Sequence, residues 1–151
     1  MWIYLFIFWV ADNFMTSTMT MTQPSTRLRV NQKNIDVKWG DICYVDFGKN
    51  EGSEQNGIRP AIIIQNDIGN AYSPTTIVAS ITSQKKKHLP THVVINPCQS
   101  GLKKISTIMF EQIRTIDKSR IVSKVGHIGM DRTEENIKKS LTVSFGMWYN
   151  L

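Results

Sequence analysis

Residues 41–64, DICYVDFGKNEGSEQNGIRPAIII, decide the fold. Asp41-Ile42-Cys43-Tyr44-Val45-Asp46-Phe47 reads as a short strand bounded by Gly40 and Gly48. A polar loop containing glycines follows, from Gly48 to Arg59. Pro60 then opens the run Ala61-Ile62-Ile63-Ile64, whose composition is that of a strand buried on both faces. Proline is tolerated there as the first residue of a strand, where no ladder hydrogen bond is lost.

Working outward, Asn66 to Pro74 is turn-forming and leads into a second β-branched run, Thr75–Ile81. Lys85-Lys86-Lys87 falls in the next loop, before Pro90. His92–Ile95 and Ser106–Phe110 are further strand candidates, separated by a turn near Pro97 and Gly101. Ile113–Ile116 and Ile121–Ile128 extend the β structure. Only the C-terminus reads as a helix. Asp131 with Glu134 three residues later makes a capping box, Ile137, Leu141 and Phe145 form one apolar stripe, and Gly146 is the stop. Many short strands and one amphipathic helix imply a mainly β fold with α, a small curved sheet or barrel with the helix packed on it.

The 151 residues suffice for one domain. Net charge is +6, and setting residues 1–34 aside still leaves 15 basic against 11 acidic side chains, which favours a polyanionic partner. Cys43 and Cys98 stand far apart with no CxxC or Cys/His cluster, so neither a disulfide framework nor a zinc site is indicated. Residues 1–11, MWIYLFIFWVA, are apolar but too few to span a bilayer, and the first positive residue is Arg27, so no secretion signal is read. Residues 1–34 are taken as a poorly structured extension, with translation expected to start at Met15, Met19 or Met21. A membrane tether is the other reading of residues 1–11.

A series of motifs carries a family resemblance. Gly40-Asp41 is followed by Gly52-Ser53-Glu54-Gln55-x-Gly57-x-Arg59-Pro60 and Ile64-Gln65-Asn66-Asp67. Ser73-Pro74-Thr75, Ile81-Thr82, Leu89-Pro90-Thr91-His92 and Glu111-Gln112-Ile113-Arg114-Thr115-Ile116-Asp117-Lys118 come next, in order. The set resembles the MazF/PemK toxin ribonucleases over roughly Val37 to Phe145. The resemblance implies a toxin domain over residues 35–151 with an SH3-like barrel of short curved strands and a C-terminal amphipathic helix. It further implies a cytoplasmic homodimer, off the membrane, that cuts single-stranded mRNA and is held inactive by a cognate antitoxin protein. No cofactor and no metal are implied. The family's catalytic pair falls on Arg59 and Thr82. Ser53, Glu54, Gln55 and Gln112 fall on positions near the RNA.

The chemistry suits those residue types. When a ribose 2′-OH attacks the adjacent phosphorus, negative charge gathers on the phosphoryl oxygens. A planar guanidinium stabilises it with paired hydrogen bonds, and a threonine hydroxyl adds another. Pro60 restrains Arg59 towards extended backbone, so that its side chain is aimed. The implied products are a 2′,3′-cyclic phosphate and a 5′-hydroxyl. Arginine is a poor base because it stays protonated. Glu54, in the same loop, is a candidate base, with a solvated carboxylate as the plainer reading.

His88, His92 and His127 have no spacing that pairs them for acid–base work, and are read as structural or incidental. Lys85–Lys87 either guides RNA or is a solvated loop. Trp39 stands where the family often has a basic residue, and either loses a phosphate contact or offers a stacking face. The rival function is a non-catalytic toxin of the same fold that poisons DNA gyrase.

Overall fold

The stretch that opened the sequence reading folds as a wide hairpin. In the computed structural model, which describes residues 35–129 and 132–147, β1 (Asp41–Asp46) pairs antiparallel with β2 (Ile58–Ile63). Ile42 stands opposite Ile62, and Asp46 opposite Ile58. The strand therefore begins two residues before Pro60, which faces Tyr44 inside the ladder. Ala61, Ile62 and Ile63 are fully buried. Because successive side chains point to opposite faces, that burial means both faces of β2 are covered. Ile62 joins one core with Ile42, Ala79, Ile81, Ile95 and Phe110, while Ala61 and Ile63 join another with Cys43, Val45, Phe47 and Val78.

After β2 the chain departs from expectation. Residues 66–74 were read as a turn, but Asp67–Tyr72 is a short helix, α1. The Asn66 side chain accepts from the Gly69 N–H at 2.7 Å, capping the helix at its start. Asn70, buried, donates to the Gln65 carbonyl (2.9 Å) and accepts from the Thr76 hydroxyl (2.8 Å), which fixes α1 to the next strand. β3 (Thr75–Thr82) and β4 (His92–Ile95) lie where the β-branched runs placed them. The turn near Pro97 is a single helical turn, α2 (Pro97–Ser100), with proline in its first turn and Gly101 in the left-handed region at φ 69°.

The two strand candidates 106–110 and 113–116 are one strand, β5 (Ser106–Asp117). Its pairing with β3 jumps from Ala79 opposite Ile113 to Ser80 opposite Met109, so Phe110, Glu111 and Gln112 form a bulge. The bulge bends β5 and curls the sheet. A 3-10 turn (Lys118–Arg120) leads to β6 (Ile121–His127), and the C-terminal helix α3 spans Arg132–Ser144. The sheet is antiparallel throughout, in the order β4-β5-β3-β2-β1-β6.

Curling brings the far ends of the sheet together through α2. A Cβ at Gly126 of β6 would lie 2.1 Å from the Ser100 carbonyl, and one at Gly101 would lie 2.2 Å from the Val125 carbonyl. Only glycines permit that backbone contact between the β4–β5 connection and β6. α3 inserts Ile137 into the first core, with Leu141 packed at its margin. The expected stripe ends there, since Phe145 is 58% exposed. Asp131, the expected cap, and residues 1–34 lie outside the described residues. No helix among the described residues is long and apolar enough to cross a membrane.

Candidate functional site

Arg59 and Thr82 come from adjacent strands. β2 and β3 pair with Ala61 opposite Ser80, Ile62 opposite Ala79 and Ile63 opposite Val78. Continuing that register two residues past the last bonded pair sets Arg59 opposite Thr82. Opposed residues of an antiparallel pair project to the same face with Cβ atoms about 5 Å apart. Both line one groove of about 360 Å³, together with Tyr44, Ser83, Gln84, Lys103, Lys104 and Ser106. Arg59 donates through Nε to the Asn56 carbonyl at 3.2 Å, which leaves its terminal nitrogens for a ligand. The Thr82 hydroxyl oxygen accepts from the Gln84 N–H at 3.2 Å, so its proton remains available to donate.

The loop before Arg59 is organised by Asn50. Its amide group donates to the Phe47 carbonyl (3.1 Å) and the Gln55 carbonyl (2.6 Å), and its backbone N–H donates to Asn56 Oδ1 (2.5 Å). At the loop base, the Phe47 N–H donates to the Gly57 carbonyl and the Gly57 N–H to the Gly48 carbonyl. Gly57, at φ 67°, turns the chain into β2 immediately before Arg59. Asn56, tied to Asn50, in turn holds the guanidinium. The arginine is thus positioned by backbone on one side and side-chain hydrogen bonding on the other.

Three of the other expected site residues gather elsewhere. Glu54, Gln55 and Gln112 line a second cavity of about 310 Å³ with Ser80, Glu111, Ile113 and Arg114. Ser53 is exposed in the loop and lines neither cavity. The Glu54 carboxylate faces Arg114 at 3.5 Å. Arg114 also donates to Asn50 Oδ1 (3.4 Å) and lies 5.7 Å from the centre of the Phe47 ring. That arginine, which reading the sequence did not single out, clasps the loop to β5 through charge, hydrogen bond and cation–π contact. Its only sequence signal is its place in the Glu111–Lys118 motif. Lys103 and Lys104 were also missed. A two-lysine doublet after Gly101-Leu102 looks no different in sequence from the Lys85–Lys87 run, which lines neither cavity.

Two of the three histidines are held by structural contacts, and His88 is exposed in the loop before β4. His92, with a 5% exposed side chain, places Nε2 2.8 Å from Glu111 and Nδ1 3.0 Å from the Lys87 carbonyl. Thr91 donates to the other Glu111 oxygen at 3.1 Å. His127 bonds Asp41, a carboxylate 1% exposed that Lys124 also pairs at 2.7 Å. Trp39 packs beside the first core, and its backbone N–H donates to Asp67. Cys43 and Cys98 are free thiols, and burial together with the Asp41 charge pushes the Cys43 thiol up to about 11. Among the described residues no three His, Cys, Asp or Glu side chains gather as metal ligands would.

Residues 38–145 match the family described as the PemK-like, MazF-like toxin of type II toxin-antitoxin systems. This chain belongs to that family. The PemK/MazF-family chain is 49% identical over 111 residues to endoribonuclease EndoA of Bacillus subtilis, a match covering 71% of this chain and 96% of that protein. Its fold resembles a mycobacterial endoribonuclease solved in complex with its cognate antitoxin, with a TM-score of 0.64, 19% identity, and coverage of 75% and 98% of the two chains. MazF of Deinococcus radiodurans superposes with a TM-score of 0.63 at 21% identity, covering 75% of this chain and 99% of that one. At such identities the solved structures speak for the toxin's fold, and both support the curled sheet with a C-terminal helix.

Proposed function

We propose that this toxin is an endoribonuclease that cuts single-stranded RNA in the Arg59–Thr82 groove, without a metal. The observation that carries the reading is that a guanidinium with free terminal nitrogens and a hydroxyl with a free proton line one groove from adjacent strands. The identity to an endoribonuclease over nearly that protein's whole length supports it. In the reaction, the ribose 2′-oxygen bonds to phosphorus while the bond from phosphorus to the 5′-oxygen breaks. Arg59 and Thr82 donate to the phosphoryl oxygens as charge accumulates there. The products are a 2′,3′-cyclic phosphate and a 5′-hydroxyl.

Among the described residues the groove lining includes no carboxylate and no imidazole. Tyr44, Lys103 and Lys104 also line it, but none hydrogen-bonds Thr82 or Arg59, so the 2′-OH proton is assigned to solvent, which also protonates the leaving 5′-oxygen. Gln55 and Gln112, uncharged amides in the neighbouring cavity, are the groups suited to reading base edges, with Ser53 at the loop surface beside them. Glu54 holds the loop through Arg114. The working protein is a cytoplasmic homodimer restrained by a cognate antitoxin, in keeping with the antitoxin-bound mycobacterial structure. Nothing in the site's geometry favours gyrase poisoning.

The experiment maps cut ends on a long RNA in EDTA. Cyclic-phosphate and 5′-hydroxyl ends are expected at discrete sites. Dependence on added magnesium, or 5′-phosphate ends, would reject the mechanism.

A further inference from the structure

The groove holds more positive charge than the reaction uses. Besides Arg59 its lining carries Lys103 and Lys104, and no acidic residue among the described residues. Both lysines are exposed, and neither forms an ion pair with another described residue. They are not loosely placed. Leu102, 7% exposed, plugs the first core immediately before them, and its N–H donates to the Ser100 hydroxyl at 3.3 Å. Immediately after them, the Ser106 hydroxyl donates to the Lys104 carbonyl at 2.9 Å. The same segment is anchored by the Gly101–Val125 and Gly126–Ser100 backbone contacts that close the sheet.

We propose that Lys103 and Lys104 form a second phosphate subsite of this groove, holding an RNA phosphate next to the one cut at Arg59 and Thr82. The inference rests on the ribonuclease reading and adds the residues that seat the strand. Two unpaired ammonium groups on a pinned backbone attract a phosphodiester and release its counterions. The apolar members of the lining favour RNA over a protein occupant. Ile81 and Leu102 are 1% and 7% exposed, and only the half-buried Tyr44 and Pro60 offer apolar surface, too little for the several anchors by which a docking helix binds.

The test is binding of a labelled 2′-O-methyl oligonucleotide of mixed sequence, which lacks the attacking hydroxyl and cannot be cut. Affinity is followed by anisotropy across a salt series. K103Q/K104Q is expected to bind about five- to tenfold more weakly at low salt, and to reduce the slope of log affinity against log salt by about 1. K138Q/K139Q removes the same charge from the exposed face of α3 and is expected to change affinity less than about twofold. Equal losses in the two double variants, an unchanged slope in K103Q/K104Q, or no salt-dependent binding by the unaltered protein overturns the subsite. A K103Q/K104Q variant that loses affinity only for an acidic peptide also overturns it, in favour of a protein partner. Cleavage of ordinary RNA by the unaltered protein is scored alongside. Intact RNA with the expected slopes rejects the ribonuclease reading, whereas cut RNA with an unchanged slope rejects the subsite alone.

Discussion

The two neighbouring cavities that share β3, one lined by Thr82 and the other by Ser80, do opposite things with charge. In the Arg59–Thr82 groove the guanidinium bonds one carbonyl, and the two lysines have no ion-pair partner among the described residues. In the Glu54–Arg114 cavity the charges answer one another, Arg114 to Glu54 and Glu111 to His92. A cation left unpaired on a pinned backbone is poised for an anion from outside, whereas a paired one holds the protein to itself. On the proposed reading the first cavity does the chemistry, and the second shapes the loop that carries Arg59.

The largest break in that contrast comes from Arg59→Ala. Cleavage should fall about a hundred- to thousandfold, the usual loss when a donor to a developing oxyanion is removed. The fold should be retained, because the Arg59 side chain is exposed and bonds only the Asn56 carbonyl. Circular dichroism and kcat/KM on one RNA measure both. Undiminished cleavage would remove the groove from the mechanism. Arg59→Lys should recover little, since an ammonium lacks the planar fork.

A second test uses pH. If solvent takes the 2′-OH proton as proposed, single-turnover cleavage should climb with hydroxide, about tenfold per pH unit between about pH 5.5 and 7.5. A plateau near about pH 6.5 would mark a histidine base and move the chemistry elsewhere.

Arg114→Met breaks the second cavity instead. It removes an exposed ion pair, a long hydrogen bond and a cation–π contact while keeping a side chain against Phe47. Stability should fall by about 1 kcal/mol by urea unfolding, and cleavage by less than about tenfold. A loss as large as that of Arg59→Ala would place Arg114 on the substrate.

The same contrast explains what could be read from the sequence. Strands β1 to β4 were legible because β-branched runs between turn residues have few alternatives, and Ala61-Ile62-Ile63 announced burial on both faces by composition alone. α1 was not, because six residues are too few to display a helical period, and Asn66 serves a cap as well as a turn. β5 was divided at Glu111-Gln112, because a bulge places polar residues where an uninterrupted strand would alternate. Arg59 and Thr82 were nominated by resemblance, and only the fold shows that they line one groove. Lys103, Lys104 and Arg114 escaped because charged residues look alike until their partners are known. Pairing is a property of tertiary structure.

The smallest expected effect gives the finest discrimination, and it belongs to Glu54. Reading the loop alone made it a candidate for the base that takes the 2′-OH proton. Its carboxylate instead lines the second cavity and faces Arg114 at 3.5 Å, with a side chain 59% exposed. An exposed pair at that distance contributes less than about 1 kcal/mol. Glu54→Gln keeps the side chain's shape and removes only its charge. If Glu54 moved the proton, cleavage should drop about a hundredfold or more, the usual contribution of a positioned base. If it only steadies the loop, cleavage should change less than about threefold and the pH–rate slope should be unaltered. Measured on the Arg114→Met background, the same change should cost almost nothing further, because its partner is already gone. A full loss on both backgrounds would make Glu54 the base and join the two cavities into one catalytic site.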